Sequence, residues 1–593
     1  MEKIRKIIAI SFVTLSGVLM TSCDLDLEIR NKIKISFIVE DSVYRMVEID
    51  KNTTVKEINA PTLENKTFQY WAKDLSTKEK FDFSTIISED TSIYAYYKNK
   101  DSGDNNQTGG DNTGGSTGGD NNQTGNQGEG YTKLNKENVK FTYDDVFQSQ
   151  YLGVVPSKGN PHVLVVPVEF SDQKSYKFDS TNLATLNATF NGNKSDHTND
   201  YRESVRSFYY KSSYGALDIN FDITDVYTPS ITSSTFVTLE NDENNEGGGT
   251  AFLVKEFYNN GKINGKKINF SDKIYDSNGD EYVDGVWFVY NNKNTSDKNN
   301  YWPYVYWYYP ETEADYNINI SAYGNCSAYF MYEDSSIGQD YHTFVHETGH
   351  MLGLNDYYDS TSSSQLGATG GLDMMDFNIG DHNSFSKFAL GWTSPYIVNK
   401  ECEITLKPFV TSGESIILAN SFNNSAFSEY IIVEYYTPTH LNELDATNPY
   451  SGRELYFSQN GVRIYHIDAR LGKFTNTSKS TFTGEILSND ATKIPTIEEL
   501  KGNYYYDLLG DNSLSRSYDG KSPLVELITR GNTKLANKRS ATNKDLFITG
   551  DTFNKTNQKN FFNNGKLHDG TSFDYQVKIG EMTSEGVKIT ITK

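Results

Sequence analysis

Polar and apolar positions divide this 593-residue chain into five stretches of different rhythm. It opens with the basic MEKIRK and the unbroken apolar run IIAISFVTLSGVLM. Residues 31–98 then alternate polar and apolar positions in KISFIVED, YRMVEID and SIYAYYK, the period-two rhythm of half-buried strands. Residues 101–130, DSGDNNQTGGDNTGGSTGGDNNQTGNQGEG, contain no apolar side chain. Such a stretch cannot bury a core, so residues 99–131 are expected to be a flexible linker with a reach of roughly 30 Å. From 132 to 400, the apolar runs HVLVVPVEF and GVWFVYNN alternate with helical stretches near 201–210 and around His346 and His350, an α/β pattern. From 401 to 593, EITLKPF, SIILAN, EYIIVEYY, GVRIYHID and GVKITITK are separated by turn signals. They predict a β-rich, sandwich-like domain.

Charge and cysteine usage narrow the classes. The net charge of −23 argues against nucleic-acid binding. With 42 Tyr and 33 Phe there is enough apolar surface for large cores. The basic start and apolar run form a secretory signal. The Thr21-Ser22-Cys23 that follows has the small residues that precede a lipidated cysteine. Residues 1–23 are therefore expected to be a lipoprotein signal ending at Cys23, with Cys23 diacylated. No other apolar run is long enough to cross a bilayer. The expected location is the extracellular face of the cell membrane, held by lipid alone. Two further cysteines, Cys326 and Cys402, could form one bond but not a disulfide framework.

Residues 346–356 read HETGHMLGLND, which fits H-E-x-x-H-x-x-G-x-x-D. Positions i and i+4 share a helix face, so His346 and His350 can present imidazoles to one metal ion. Glu347, one residue on, can reach water at that ion without ligating it. Gly353 can take a positive φ and end the helix. The chain then turns back and Asp356 becomes a candidate third ligand, with Tyr357 and Asp359 near enough to compete. Three protein ligands and one open position is the catalytic zinc arrangement. The plainer alternative is an amphipathic helix with solvated histidines. By chance, H-E-x-x-H arises in about 1% of chains with this many histidines, and the added Gly and Asp lower that to roughly one in ten thousand. Met375, or alternatively Met374, in the following LDMMDFN fits a Met-turn, an apolar floor under the metal. Tyr357 or Tyr358 is a candidate to stabilise an oxyanion. His342 and His382 read as structural or solvent-facing residues, with support of the metal ligands as the alternative, and His466 as a strand residue. Gly349, inside the helix, costs about 1 kcal/mol relative to Ala. It is expected to allow close approach of a strand or the substrate.

A second metal-binding pattern lies at 276–284, DSNGDEYVD. Asp276, Asn278, Asp280 and Asp284 offer side-chain oxygens, and Tyr282 its carbonyl, for a structural calcium ion. Trp287 stands where an EF-hand would have a bidentate Glu. The alternative is a polar turn before the buried strand GVWFVYNN.

HETGHMLGLNDYYD followed by LDMMDFNIGDHNSFSKFALGW resembles the immune inhibitor A family of secreted bacterial metalloproteases, in the metzincin clan. HVLVVPVEFSD (162–172) and SVRSFYYKSSYGAL (204–217) resemble the opening strand and following helix of that family's catalytic domain. GVRIYHIDARL (461–471) resembles segments that follow it. The resemblance spans about 135–593. It implies an α/β, metzincin-like zinc metalloprotease domain at 132–400, followed by the β-rich domain at 401–593. It also implies hydrolysis of peptide bonds, with Glu347 as general base on zinc-bound water and general acid to the leaving amine. The 31–98 stretch resembles the Listeria–Bacteroides repeat, a small β-grasp-like module, with Phe68, Trp71, Phe81 and Phe83 as its core. The expected partners are protein or peptide substrates, and the expected state is a monomer. The competing class is a catalytically inactive surface adhesin or glycan-binding protein that keeps the protease fold. Such relatives typically lose the Glu or a His, whereas His346, Glu347, His350, Gly353 and Met375 are all present.

Overall fold

The computed structural model describes residues 32–99 and 130–593, except 40–41, 57–65, 75–78, 90, 140, 149–152, 193–202, 243–246, 295–300, 309–312, 333–339, 363, 448–454, 476–481, 487–503 and 514–521. The expected lipidation site Cys23 and nearly all of the expected linker lie outside the described residues. Among the described residues, no helix is long and apolar enough to cross a membrane.

The N-terminal module is a mixed five-stranded sheet. Its first strand, Lys32–Val39, pairs antiparallel with Ser42–Asp50 and parallel with Thr91–Asn99. Lys66–Asp74 joins the other side of Thr91–Asn99. The alternating positions Ile33, Ile35, Phe37 and Val39 are buried on one face, where Trp71 and Phe81 cover them. Phe68 and Phe83 pack at the margin of this core.

The described residues from 130 onward form one compact unit with mixed α/β architecture. A five-stranded sheet runs in the order Tyr304–Trp307, Ala322–Ser327, Val286–Tyr290, His162–Val168, Asn220–Ile223. The last four are parallel, and Tyr304–Trp307 is an antiparallel edge. Every residue of Val286–Tyr290 is buried. Trp287 and Val289 enter one core with Leu186, Phe190, Phe208 and Phe344. Val286, Phe288 and Tyr290 enter another with Phe236, Leu253 and Phe257. Helices therefore cover both faces, as a parallel sheet requires. Side-chain caps start several of them. Asp179 accepts from Asn182 N, and Ser204 from Ser207 N, so the helix expected near 201–210 is Val205–Ser212.

A second, six-stranded sheet has the order Val525–Leu527, Gly461–Asp468, Glu429–Tyr436, Ser415–Leu418, Tyr396–Val398, Tyr131–Lys133. A four-stranded antiparallel sheet, Cys402–Leu406, Val587–Thr592, Gln576–Met582, Thr552–Phe553, packs against one face of it. Ile431, Val433, Val462 and Ile464 point into that shared core. The neighbouring positions Tyr430, Ile432, Tyr465 and Ile467 point the other way, into the core that holds Trp287, Phe344 and Met375. The division expected at 400/401 is therefore not a division between separately folded bodies. The six-stranded sheet is a wall common to both cores, and its edge strand Tyr131–Lys133 comes from the start of the unit. Cys326 and Cys402 are both free thiols.

Two outcomes follow from this packing. Gly324 pairs with Trp287 on the adjacent strand, and a Cβ there would lie 2.7 Å from the indole. Gly324→Val should lower stability by about 1–3 kcal/mol through overpacking; an unchanged urea midpoint would count against this packing. His162 Nδ1 lies 2.8 Å from Asp222 Oδ2, and that hydrogen bond raises the imidazole pKa above its ordinary value. A raised histidine contributes fully below its unfolded pKa of about 6.5 and loses that contribution as pH climbs through the folded value. His162→Gln should therefore lower the melting temperature more at pH 6 than at pH 9. An equal effect at both would remove the ion pair from the account.

Candidate metal centre

The motif occupies the helix His342–Met351 and the turn that follows it. Asp340 Oδ1 accepts from His342 N at the helix start. Phe344 fixes the helix on the sheet, with its ring 5.4 Å from Trp287 and 5.3 Å from Phe190. Gly353 takes φ 96°, and Leu354 N returns to Gly349 O at 3.0 Å, which turns the chain back along the helix. Asp356 is thereby brought to the histidines. Its Oδ1 lies 3.0 Å from His346 Nε2 and 3.2 Å from His350 Nε2.

The other ring nitrogens decide the chemistry. His346 Nδ1 contacts Met374 O and His350 Nδ1 contacts Leu354 O, both at 2.8 Å. A carbonyl can only accept, so each Nδ1 carries its hydrogen and each Nε2 presents either a lone pair or a second proton to the carboxylate. Burial disfavours imidazolium, yet Asp356 lifts His346 above its ordinary pKa and His350 up to about 9. Burial alone would raise Asp356, but the His350 charge and the histidine hydrogen bonds hold it well below the usual carboxylate range. Two imidazoles and one carboxylate, with ligand atoms within 4.8 Å of one another, are a donor set that fits a zinc ion with three protein ligands. Backbone carbonyls behind both rings supply the outer support such ligands need.

Glu347 is buried next to this group. Burial raises its carboxyl pKa, against the pull of the His350 and His346 charges. No hydrogen bond to another described residue ties it down, so its oxygens stay available to water or substrate. The alternatives for the third position are engaged elsewhere. Tyr357 is fully buried with its hydroxyl 2.9 Å from Ser386 Oγ. Asp359 accepts from Thr361 and Asn537. Of the two tyrosines, Tyr358 is the one beside the site, its ring stacked 6.2 Å from His346.

Met375 lies under the helix. A Cβ on Gly349 would overlap its sulfur and come 3.1 Å from both Met375 Cε and Tyr209 Oη. Gly349 is thus required by the Met375 and Tyr209 side chains, not by the strand or substrate expected from sequence. Tyr209 Oη donates to Val345 O at 2.7 Å. Met374 contributes its carbonyl to His346, while Met375 O accepts from Tyr357 N at 2.7 Å. The turn is set by Asp373, at φ 130°, which accepts from Met375 N, His382 Nδ1 and Asn383 N. Asp373 and Tyr209 were not singled out in the sequence; an acid directly before the Met pair was the available signal. His382 is fully buried in this network, and the His342 ring lies 6.2 Å from that of His346. Neither is in the ligand group.

The 276–284 loop is held by hydrogen bonds from its own amides. Asp276 accepts from Gly279 N, Asp280 N and Glu281 N. Asn278 Oδ1 accepts from Asp280 N, and Asp280 from Tyr282 N and Gly153 N. Asp284 turns to Ser277 and is fully buried, which pushes its carboxyl up to about 7. The oxygens cap amides within and beside the loop, and the three carboxylates do not meet as a ligand group. A calcium cage needs six to eight converging oxygens. Among the described residues, the loop carboxylates do not bring three ligand atoms within 4.8 Å of one another.

Gly349→Ala tests the floor. Alanine favours a helix by about 1 kcal/mol over glycine. Met375 is buried, so overpacking of about 1–3 kcal/mol should win and the variant should melt lower. A variant that melts higher would mean Met375 is not against the helix.

Comparison with known families falls on the other unit. Residues 34–96 match the family model described as the Listeria-Bacteroides repeat domain, within the five-stranded N-terminal module and apart from the histidine cluster. A search of curated proteins gave no match to the chain.

Proposed function

We propose that this protein is a zinc-dependent endopeptidase acting on extracellular proteins or peptides. The observation that carries the reading is the convergence of His346, His350 and Asp356 beside the buried Glu347. The likeness of HETGHMLGLNDYYD and LDMMDFN to the immune inhibitor A family, of the metzincin clan, supports it further. His346, His350 and Asp356 would hold the ion, which when bound would polarise a carbonyl and make water a better nucleophile at neutral pH. Glu347 takes a proton from the attacking water and returns it to the leaving amine nitrogen. Its burial suits both halves of that task, because a carboxyl raised from its ordinary value gives and takes protons nearer neutrality. Met375 and Tyr209 fix the helix from below, so the imidazoles do not shift as the substrate enters.

The expected location is the cell surface, with Cys23 lipidated and the linker holding the enzyme clear of the membrane. The −23 net charge favours protein over nucleic-acid substrates.

The test compares the full chain with Glu347→Gln for zinc content and for cleavage of casein. The variant should keep the wild-type zinc content and cleave roughly 100- to 10,000-fold more slowly. His346→Ala should lose both zinc from this centre and cleavage. If the wild type holds zinc here and cleaves no protein, the surface-binding reading replaces the enzyme.

A further inference from the structure

A second group of imidazoles and carboxylates lies in the six-stranded sheet. Glu429 and Asp468 are register partners on adjacent antiparallel strands. His466, two residues before Asp468, shares its face and pairs with Glu526 on the next strand. All four are buried. Like charges directly opposite each other in a sheet repel, and burial makes that worse.

Fixed cations answer only part of this charge. Arg470 grips Asp468 through two bonds of 2.6 and 2.8 Å. Lys534 lies 2.9 Å from Glu526. Arg470 comes only to 3.8 Å from Glu429. Glu429 instead faces His466 Nε2 at 2.7 Å and the turn at 567–570. In that turn, His568 N and Asp569 N donate to the two Glu429 oxygens at 2.5 and 2.7 Å. His568 Nδ1 lies 2.9 Å from Asp468 Oδ2, and its ring sits 4.5 Å from that of His466.

The geometry points to a second divalent-metal site formed by Glu429, His466 and His568, suited to zinc or a similar transition ion. One ligand atom from each of the three lies within 4.8 Å of the others. Two imidazoles and a carboxylate are a borderline-soft nitrogen and oxygen set that zinc accepts. His466 turns Nε2, the nitrogen free to ligate, toward Glu429, while among the described residues its buried Nδ1 has no hydrogen-bond partner. Asp468 stands behind His568 as the outer carboxylate that orients a ligating histidine. The His568 side chain is 23% exposed, which gives an ion a way in from solvent.

Glu429 and His466 share strand faces with Ile431 and Ile464, whose core lies opposite the one containing Phe344 and Met375. The site is therefore separate from the first and does not depend on its function. An ion there would pin the 561–575 segment to the sheet, a structural task.

The test is zinc stoichiometry of the full chain after equilibration with zinc and dialysis, measured by elemental analysis. His568→Ala should bind one equivalent fewer than wild type. A His346→Ala/His350→Ala double variant should keep one equivalent, and adding His568→Ala to it should remove that one. His568→Gln, which keeps a donor toward Asp468, should lose the same equivalent; it decides the matter if the alanine variant does not fold. Wild-type stoichiometry in a folded His568 variant would overturn the proposal. So would a folded double variant that holds no zinc, since the cluster would then be a hydrogen-bonded network balanced by protonated imidazole.

Discussion

Two backbone carbonyls give the candidate centre its character. Leu354 O and Met374 O each take the Nδ1 hydrogen of one motif histidine. Both Nε2 atoms are then committed to the same carboxylate, Asp356. Rotating either ring would break a hydrogen bond and leave a buried carbonyl unpaired, a loss of about 1–3 kcal/mol. Much of the surrounding structure keeps these two carbonyls in place. Gly353 turns the chain so that Leu354 reaches His350, and Asp373 holds the turn that aims Met374 at His346.

Behind the Met374–Met375 turn lies a layer of buried charge. Asp373 ties His382 and Asn383, and Asp381 ties Ser212 to Lys387. Lys387 also lies 4.4 Å from the centre of the Tyr214 ring. One strand further, Glu434 accepts from Ser384 N and pairs with Arg463. Buried ion pairs add little net stability, but losing one partner leaves an unpaired charge that costs about 3–5 kcal/mol. The layer therefore specifies one arrangement between the turn, the helix Ser384–Ala389 and the six-stranded sheet.

The sequence carried this information unevenly. Local patterns were readable: helical spacing put His346 and His350 on one face, and the unbroken apolar GVWFVY matched a strand buried on both sides. The limits of domains were not. EYIIVEYY is apolar on both faces because each face serves a different core, a meaning that emerges only when both cores are seen. The reason for Gly349 was also hidden, since Tyr209 and Met375 arrive from distant parts of the chain. In DSNGDEYVD the residue types were those of a calcium loop, but the amides that bond to its oxygens are seen only in the fold. His466 read as an ordinary strand residue because Glu429 and His568 meet it only through the fold.

The shared sheet also orders events in time. Val587–Thr592 is an inner strand, flanked by Cys402–Leu406 and Gln576–Met582. Leu524, Leu535 and Leu546 belong to the same core as Phe344 and Met375. The wall behind the histidine cluster is therefore assembled from chain synthesised long after the cluster itself. A ribosome still holding the last hundred or so residues holds a polypeptide whose motif is complete but whose scaffold is not. Completion of the packing behind the histidine cluster is thereby postponed until the chain has left the machinery that made it.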